Sequence, residues 1–184
     1  VTGQFPLDTA AALDLADQYR TTLRDLGETP KTAGLMADWA RLLAFHLDDA
    51  AAAQTLLDRA VDMPGLPLDI KSRIKLDLGD VLVFEDDIWS ASLLFSQVDL
   101  DHKEGILGQQ AKFRNARVSY FTGDFNWAQA QLDILKASTS KLISNDAIDL
   151  SLLITDNFNM DTLTAPMEMF APVSYTHLRA HETS

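Results

Sequence analysis

Apolar side chains recur three and four residues apart along most of the chain, which is the spacing of one face of an α-helix. The stretch Gly123–Leu135, GDFNWAQAQLDIL, shows the pattern: a Gly-Asp pair precedes apolar residues at positions 125, 128, 132 and 135. No stretch alternates apolar and polar residues for long enough to indicate a strand. The spacing therefore predicts an all-α protein.

The same pattern returns at a fixed interval. When the chain is aligned on Ala128, a ladder of alanines appears 37 or 38 residues apart, at Ala16, Ala53, Ala91, Ala128 and Ala165. Aspartate stands four residues before four of them, at Asp49, Asp87, Asp124 and Asp161. An aspartate side chain accepts hydrogen bonds from the free N–H groups of a first helical turn, so this column predicts helix N-caps. The alanine that follows leaves room for a neighbouring helix.

A second amphipathic run precedes each aspartate, so each repeat is predicted to be helix, tight turn, helix. Twelve residues before the alanine this run contains Gly79 and Ala116, small residues placed to meet the alanine across the helix pair. Fourteen residues after the alanine stand Pro30, Pro67 and Gly105, which are predicted to end the second helices. The large residues available to fill the core are Trp39, Phe45, Trp89, Phe95, Phe113, Phe125 and Trp127.

These columns resemble the tetratricopeptide repeat (TPR). The family has a small residue in the first helix, a Gly-Asp-aromatic turn and an alanine near the start of the second helix; Ala116, Gly123-Asp124-Phe125 and Ala128 fit it best. The resemblance covers about Leu7 to Ala171, but Arg41 and Leu153 replace the small residue and the period exceeds the family's usual value of about 34. It implies a right-handed α-solenoid of about five stacked repeats.

The resemblance divides the chain into an N-terminal extension at 1–7, a repeat array at 8–171 and a tail at 172–184. The tail resembles translated sequencing-adapter DNA, so we expect it to be non-native and disordered, and the array to be truncated. The second half is also similar to uncharacterised bacterial envelope or secreted TPR proteins, which implies the periplasm or envelope. Apolar residues in the fifth repeat, left without a following repeat, predict self-association there; they are Met167, Met169 and Phe170.

The net charge of the chain argues against nucleic acid as a partner. The chain has 184 residues and a formal net charge of −12, so it lacks the clustered basic residues that a nucleic-acid surface needs. It has no cysteine, which excludes disulfides, thiol catalysis and thiolate metal sites. No apolar run approaches the roughly 20 residues of a membrane span.

Three polar clusters could be metal or acid/base sites, but each contains residues that are common at the ends of helices. His46 with Asp48 and Asp49, His102 with its acidic neighbours, and the run at 85–87 all fall where one helix is predicted to end and another to begin. The chain has no G-x-S-x-G elbow, phosphate-binding glycine loop or H-E-x-x-H motif. We therefore expect no enzyme activity, no metal and no cofactor.

A binding surface remains as the leading hypothesis. In TPR proteins the first helices line a concave groove that holds peptides, and register transfers the groove positions to Arg73, Leu76, Asp80, Gln110, Phe113, Arg117 and Tyr120. Arg73 and Arg117 could clamp a carboxylate; alternatively these residues are ordinary core or rim. The resemblance thus implies a scaffold for a protein or peptide whose identity stays open. The alternatives are a structural spacer or oligomerisation segment of a longer envelope protein and, more remotely, an enzyme.

Overall fold

The computed structural model describes residues 9–160, and their side chains as far as residue 156. This part of the chain forms eight α-helices and no strand, which confirms the all-α prediction. None of these helices is long and apolar enough to cross a membrane. The helices are α1 Thr9–Leu26, α2 Ala33–His46, α3 Ala50–Val61, α4 Leu68–Phe84, α5 Ile88–Asp101, α6 Ile106–Phe121, α7 Phe125–Leu135 and α8 Lys141–Met160.

The chain forms two compact units that divide between Asp87 and Ile88. The first unit contains α1 to α4 and the second contains α5 to α8. Several predicted features lie outside the described residues: the extension at 1–7, the tail at 172–184, and Asp161, Ala165, Met167, Met169 and Phe170.

One turn occurs three times, each time immediately before a helix. Its central residue has a positive φ: 52° at Asp48, 68° at Asp86 and 81° at Gly123. The N–H of the following aspartate donates to a carbonyl five or six residues back in the preceding helix, at 2.8–2.9 Å. Glycine adopts this left-handed conformation without strain, and aspartate is one of the few other residues that visit it. The residue types at 48, 86 and 123 therefore suit the turn.

The aspartate after this turn caps the next helix, as predicted. The side chain of Asp49 accepts a hydrogen bond from the Ala52 N–H at 3.1 Å, and that of Asp124 accepts from the Trp127 N–H at 3.2 Å. Asp87 stands at the same place before α5. The fourth residue of each of these helices is a fully buried ladder alanine, namely Ala53, Ala91 and Ala128. Ala16 differs, because it lies in the middle of α1 and is only half-buried.

The predicted helix stops were wrong. The first helix ends at Leu26, before Pro30, because Gly27 takes a φ of 77° and its N–H donates to the Leu23 carbonyl at 2.8 Å. Pro67 and Gly105 instead stand directly before α4 and α6. A first helical turn has free N–H groups, so the missing N–H of a proline costs little there.

Small residues dominate the packing of α2 in the first unit. This helix packs against α1, α3 and α4. Its buried alanines are spaced by four, three and four residues, so they form one stripe along the helix; they are Ala33, Ala37, Ala40 and Ala44. The rings of Phe45 and Phe84 meet edge to face, with centroids 5.9 Å apart.

The core of the second unit combines two aromatic rings with aliphatic side chains. Tyr120 packs edge to face against Phe121 and Phe125, at centroid distances of 5.5 and 5.7 Å. Ala116 and the ladder alanine Ala128 lie in the same buried cluster, as their register predicts. The rest of this cluster comes from α7 and α8: Leu132, Leu135, Ile143, Ala147 and Ile154.

Two of the large side chains predicted to fill the core are exposed to solvent. Phe95 and Phe125 are buried, and Trp39, Phe45 and Phe113 are half-buried, but Trp89 is 89% exposed and Trp127 is 59% exposed. The reason is helical geometry. At about 100° per residue, Trp89 lies about 200° around α5 from the buried Ala91, and Trp127 lies about 100° around α7 from Ala128.

Candidate functional site

The four predicted binding residues of α6 have different environments. Gln110 and Arg117 are half-buried and Phe113 packs against the aromatic core while staying partly accessible. Tyr120 is only 2% exposed and belongs to the core cluster. Gln110, Phe113 and Arg117 are therefore partly accessible to a ligand that approaches α6, whereas Tyr120 is buried in the core.

The three predicted binding residues of α4 also differ. Arg73 is exposed, Asp80 is half-buried and Leu76 is buried in the first unit. Packing, which was the alternative interpretation, thus explains Leu76. Arg73 and Arg117 lie on different units, so each is described by itself.

Arg117 is a half-buried cation on α6 whose side chain lies over an aromatic ring. Its guanidinium carbon lies 5.9 Å from the centre of the Phe121 ring, one helical turn away. Stacking on an aromatic face attracts the cation and fixes the direction of the side chain. A guanidinium ordered in this way loses less entropy when it binds a carboxylate in a bidentate manner.

A polar seam, which the sequence analysis missed, joins α5 to α6. The hydroxyl of Ser92 donates to Asn115 Oδ1 at 2.9 Å, and Asn115 Nδ2 donates to Ser96 Oγ at 3.1 Å. One turn further along the pair, Lys112 Nζ donates to Asp99 Oδ2 at 2.7 Å. Asn115 itself is buried. The two serines stand four residues apart on α5, so both ends of the Asn115 amide are held at one position along the helix.

The seam continues into the rest of the second unit. Gln131 of α7 donates to the hydroxyl of Ser119 on α6 at 3.3 Å, and that hydroxyl donates to the Asn115 carbonyl at 3.0 Å. Gln129 of α7 donates to Ser151 of α8 at 2.6 Å. Buried polar groups of this kind are costly when unpaired, so they favour one alignment of the helices over others.

A sequence signal for this seam exists. The residue after the ladder alanine is polar in each of α3, α5 and α7: Gln54, Ser92 and Gln129. A polar side chain beside a buried alanine lies at the edge of a helix interface, where it can reach the next helix. The partner residues could not be chosen without knowing which faces meet.

The cluster of His46, Asp48 and Asp49 lies at the helix ends where it was predicted. His46 is the last residue of α2, Asp48 has the left-handed φ of the recurrent turn and Asp49 caps α3. Among the described residues, no three His, Asp or Glu side chains are grouped so as to hold a metal ion.

A surface cavity of about 760 Å³ adjoins this cluster, between the first half of α1 and the second half of α2. Its apolar lining includes Leu13, Trp39 and Leu43. The indole N–H of Trp39 is buried and has no acceptor within the described part of the chain. Because this nitrogen is itself buried, a molecule in the cavity would not reach it without a rearrangement of the ring.

In the described part of the chain, the pKa of two carboxylates is shifted, one on α3 and one on α7. Burial, and next the nearby Asp62, raise the pKa of Asp58. The hydrogen bond from Lys136 lowers the pKa of Asp133. Neither group belongs to the predicted binding residues.

Comparison with known proteins gives no further information on these residues. The chain matches no family model, no curated protein and no solved structure.

Proposed function

We propose that the chain is a TPR-like helical-repeat module that binds a protein or peptide and performs no catalysis. In this proposal the described helices are consecutive members of a right-handed solenoid of about five repeats. The first helices of the repeats, including α4 and α6, present the binding residues.

The recurrent turn is the observation that carries the proposal. A left-handed residue and an aspartate stand directly before each of α3, α5 and α7, and a buried alanine is the fourth residue of each helix, at the interval of 37 or 38 residues found in the sequence. Helical hairpins with equivalent turns can stack into one continuous core, and such arrays commonly present an extended binding surface. This supports a repeat scaffold over an irregular helical enzyme.

Arg117 supports a ligand that carries a carboxylate. Its side chain is half-buried and ordered on Phe121, and it stands beside the partly accessible Phe113 and Gln110 on one helix. An apolar ring, an amide and a cation on one face suit a peptide with an apolar residue next to an acidic side chain or a free C-terminus.

A displayed peptide library, selected on the full chain, tests this proposal. Peptides that bind should carry a carboxylate, and their affinity, measured by calorimetry, should fall by roughly tenfold or more in Arg117→Glu, because a charge-assisted pair becomes a repulsive one. Lys103→Glu is the matched control: it makes the same change of charge at an exposed residue of the second unit and should leave the affinity unchanged.

Circular dichroism must show that both variants keep the helical content of the parent. Failure to select any peptide, or peptides that bind both variants equally well, would contradict the proposed site.

A further inference from the structure

The cavity of about 760 Å³ in the first unit is an elongated trough between two helix faces. Trp39 and Leu43 of α2 line one wall. The residues of α1 that line the other wall recur at helical spacing over about three turns, or roughly 16 Å; they are Thr9, Leu13, Ala16, Asp17 and Arg20. A trough of this length between two helices has the shape of a groove that accepts a third helix.

Three trough residues on α1 occupy core positions of the repeat. Leu13 is 57% exposed, Ala16 is half-buried and the side chain of Arg20 is 71% exposed. Their counterparts 112 residues later, on α7, are at most 4% exposed; these are Phe125, Ala128 and Leu132. Positions that are buried on α7 therefore remain accessible on α1.

The α2 wall of the trough has a counterpart in α8. Trp39 and Leu43 stand 111 residues before Leu150 and Ile154. Ile154 belongs to the buried cluster of the second unit, and Leu150 packs against that cluster. The pair of α1 and α2 thus matches the pair of α7 and α8 on both walls.

In the second unit α6 fills the matching place. It packs against both α7 and α8. Ala116 and Tyr120 of α6 lie in one buried cluster with Ala128 of α7 and Ile154 of α8. The second unit therefore shows which kind of element covers these two walls when they are covered, namely an α-helix that presents small and aromatic residues.

We propose that the trough between α1 and α2 is a docking site for an amphipathic α-helix of a partner protein, which takes the place that α6 takes between α7 and α8. This site goes beyond the proposed peptide site, because it lies on the first unit and uses none of the α6 residues.

Charge defines the chemistry and the direction of the docked helix. Arg20 takes the place of Leu132, and its only neighbour of opposite charge in the trough wall of α1 is Asp17, with which it forms an exposed ion pair that contributes little. Asp48, which follows α2, lies at the other end of the trough. A helix that runs antiparallel to α1, as α6 does to α7, would bring its first half to Arg20 and its last turn to Asp48.

The docked helix should therefore carry a carboxylate in its first half and a Lys or Arg in its last turn. Both charges also suit the dipole of that helix, which favours acidic residues near its start and basic residues near its end. The expected partner is thus an amphipathic helix with this polarity of charge and a small residue where it crosses Ala16.

A synthetic peptide with the sequence of α6, residues 106–121, is the probe, and it carries Phe113→Glu. Phe113 packs against the cluster of the second unit and stands one turn before Ala116, while Leu132 stands one turn after Ala128. In an antiparallel pair these two positions lie at the same level. Glutamate at 113 of the peptide should therefore lie opposite Arg20 of the trough.

NMR titration of the full chain with this peptide, to millimolar concentration, tests the proposal. The chain has three tryptophans, so its indole N–H resonances are assigned by replacing the exposed Trp89 and Trp127 with phenylalanine. We expect the Trp39 indole resonance to shift on titration and the other two to stay in place. A peptide of the same composition in scrambled order is the control and should cause no shift.

Two substitutions on α1 locate the binding. Leu13→Gln should weaken it roughly fivefold or more, because it removes apolar surface that the docked helix covers. Leu26→Gln makes the same change at a residue of α1 that is 62% exposed and lies outside the trough, and it should have no effect. Arg117→Glu, which tests the proposed peptide site, should also leave this binding unchanged.

Exchange of charge tests the direction of the docked helix. The Phe113→Glu peptide should bind the parent chain about three to ten times more tightly than a Phe113→Lys peptide, and Arg20→Glu should reverse that order. Circular dichroism checks the fold of both α1 variants. If Leu13→Gln alters the spectrum, the reversal in Arg20→Glu decides the question.

The remaining outcomes overturn the proposal. They are a Trp39 resonance that does not move, an equal response to the scrambled peptide, and binding that Leu13→Gln leaves intact. A chain that lacks residues 1–8 and binds the peptide when the full chain does not would show that the trough accepts the protein's own N-terminal residues instead of a partner helix.

Discussion

Helices α2 and α6 are equivalent in the repeat register but pack by different chemistry. Four matched positions carry Ala33, Ala37, Ala40 and Ala44 in α2, and Gly108, Lys112, Asn115 and Ser119 in α6. In α2 all four alanines are buried. In α6 the last three residues form the polar seam that reaches α5 and α7.

The turn between two helices does not determine the chemistry by which those helices pack. The same left-handed turn follows both helices, so neither interface chemistry is needed to form it. Alanines allow neighbouring helices to approach closely, but they do not favour one alignment of the helices along their axes over another. The amide of Asn115, held between two serines, adds that alignment at the cost of burying polar atoms.

Moving the polar side chain into the alanine stripe should have the largest effect. Ala40→Asn adds volume at a fully buried site and buries an amide without the serine partners that Asn115 has, so we expect a loss of about 3–5 kcal/mol. Ala51→Asn, at an exposed site on α3, should cost only about 0.5 kcal/mol. Urea unfolding followed by circular dichroism measures both. Equal losses would show that α2 is not packed through its alanines.

The reverse change tests the seam of the second unit. Asn115→Ala should cost about 1–3 kcal/mol, because it opens a small cavity and leaves Ser92 and Ser96 without their amide partner. Asn115→Leu should cost less, since Leu78 fills the matched position in α4. If the seam fixes alignment, Asn115→Leu should also broaden amide resonances of α5 and α6. Sharp spectra from this variant would limit the seam to a contribution to stability.

The part of the fold that follows from local chemistry was predictable. Asp49 and Asp124 cap helices because their carboxylates lie three residues before free N–H groups, and this needs no knowledge of distant contacts. The buried alanines followed from the repeat itself. The stop placed at Pro30 was wrong because Gly27 already ends α1, and the stop placed at Pro67 was wrong because a proline tolerates the start of a helix as well as it ends one.

The surface was predicted less well, because side-chain exposure depends on which helices meet. Trp89 and Trp127 are large and apolar, yet the packed faces of α5 and α7 are fixed by Ala91 and Ala128, which point elsewhere. Tyr120 shows the opposite case, since it was assigned to a groove and lies in the core. Asn115 was missed because its partners are 19 and 23 residues away in the chain.

Two unobstructed glycines should respond in opposite directions to alanine. A Cβ added at Gly123 or at Gly34 would meet no atom within 4 Å, but Gly123 has a φ of 81° while Gly34 lies within α2. Gly123→Ala should therefore cost about 1–2 kcal/mol through backbone strain, whereas Gly34→Ala should stabilise the first unit by about 1 kcal/mol. Thermal unfolding measures the difference. A neutral Gly123→Ala would show that this turn does not need the left-handed conformation.

The central claim is that one left-handed turn occurs three times, directly before α3, α5 and α7. Backbone NMR of the full chain measures this most directly, through the chemical shifts and scalar couplings of Asp48, Asp86 and Gly123. The account predicts a φ between about +50° and +80° at all three, each in a short turn between two helices. A helical or extended φ at Asp48 or Asp86 would contradict it, because the turns would then not be equivalent.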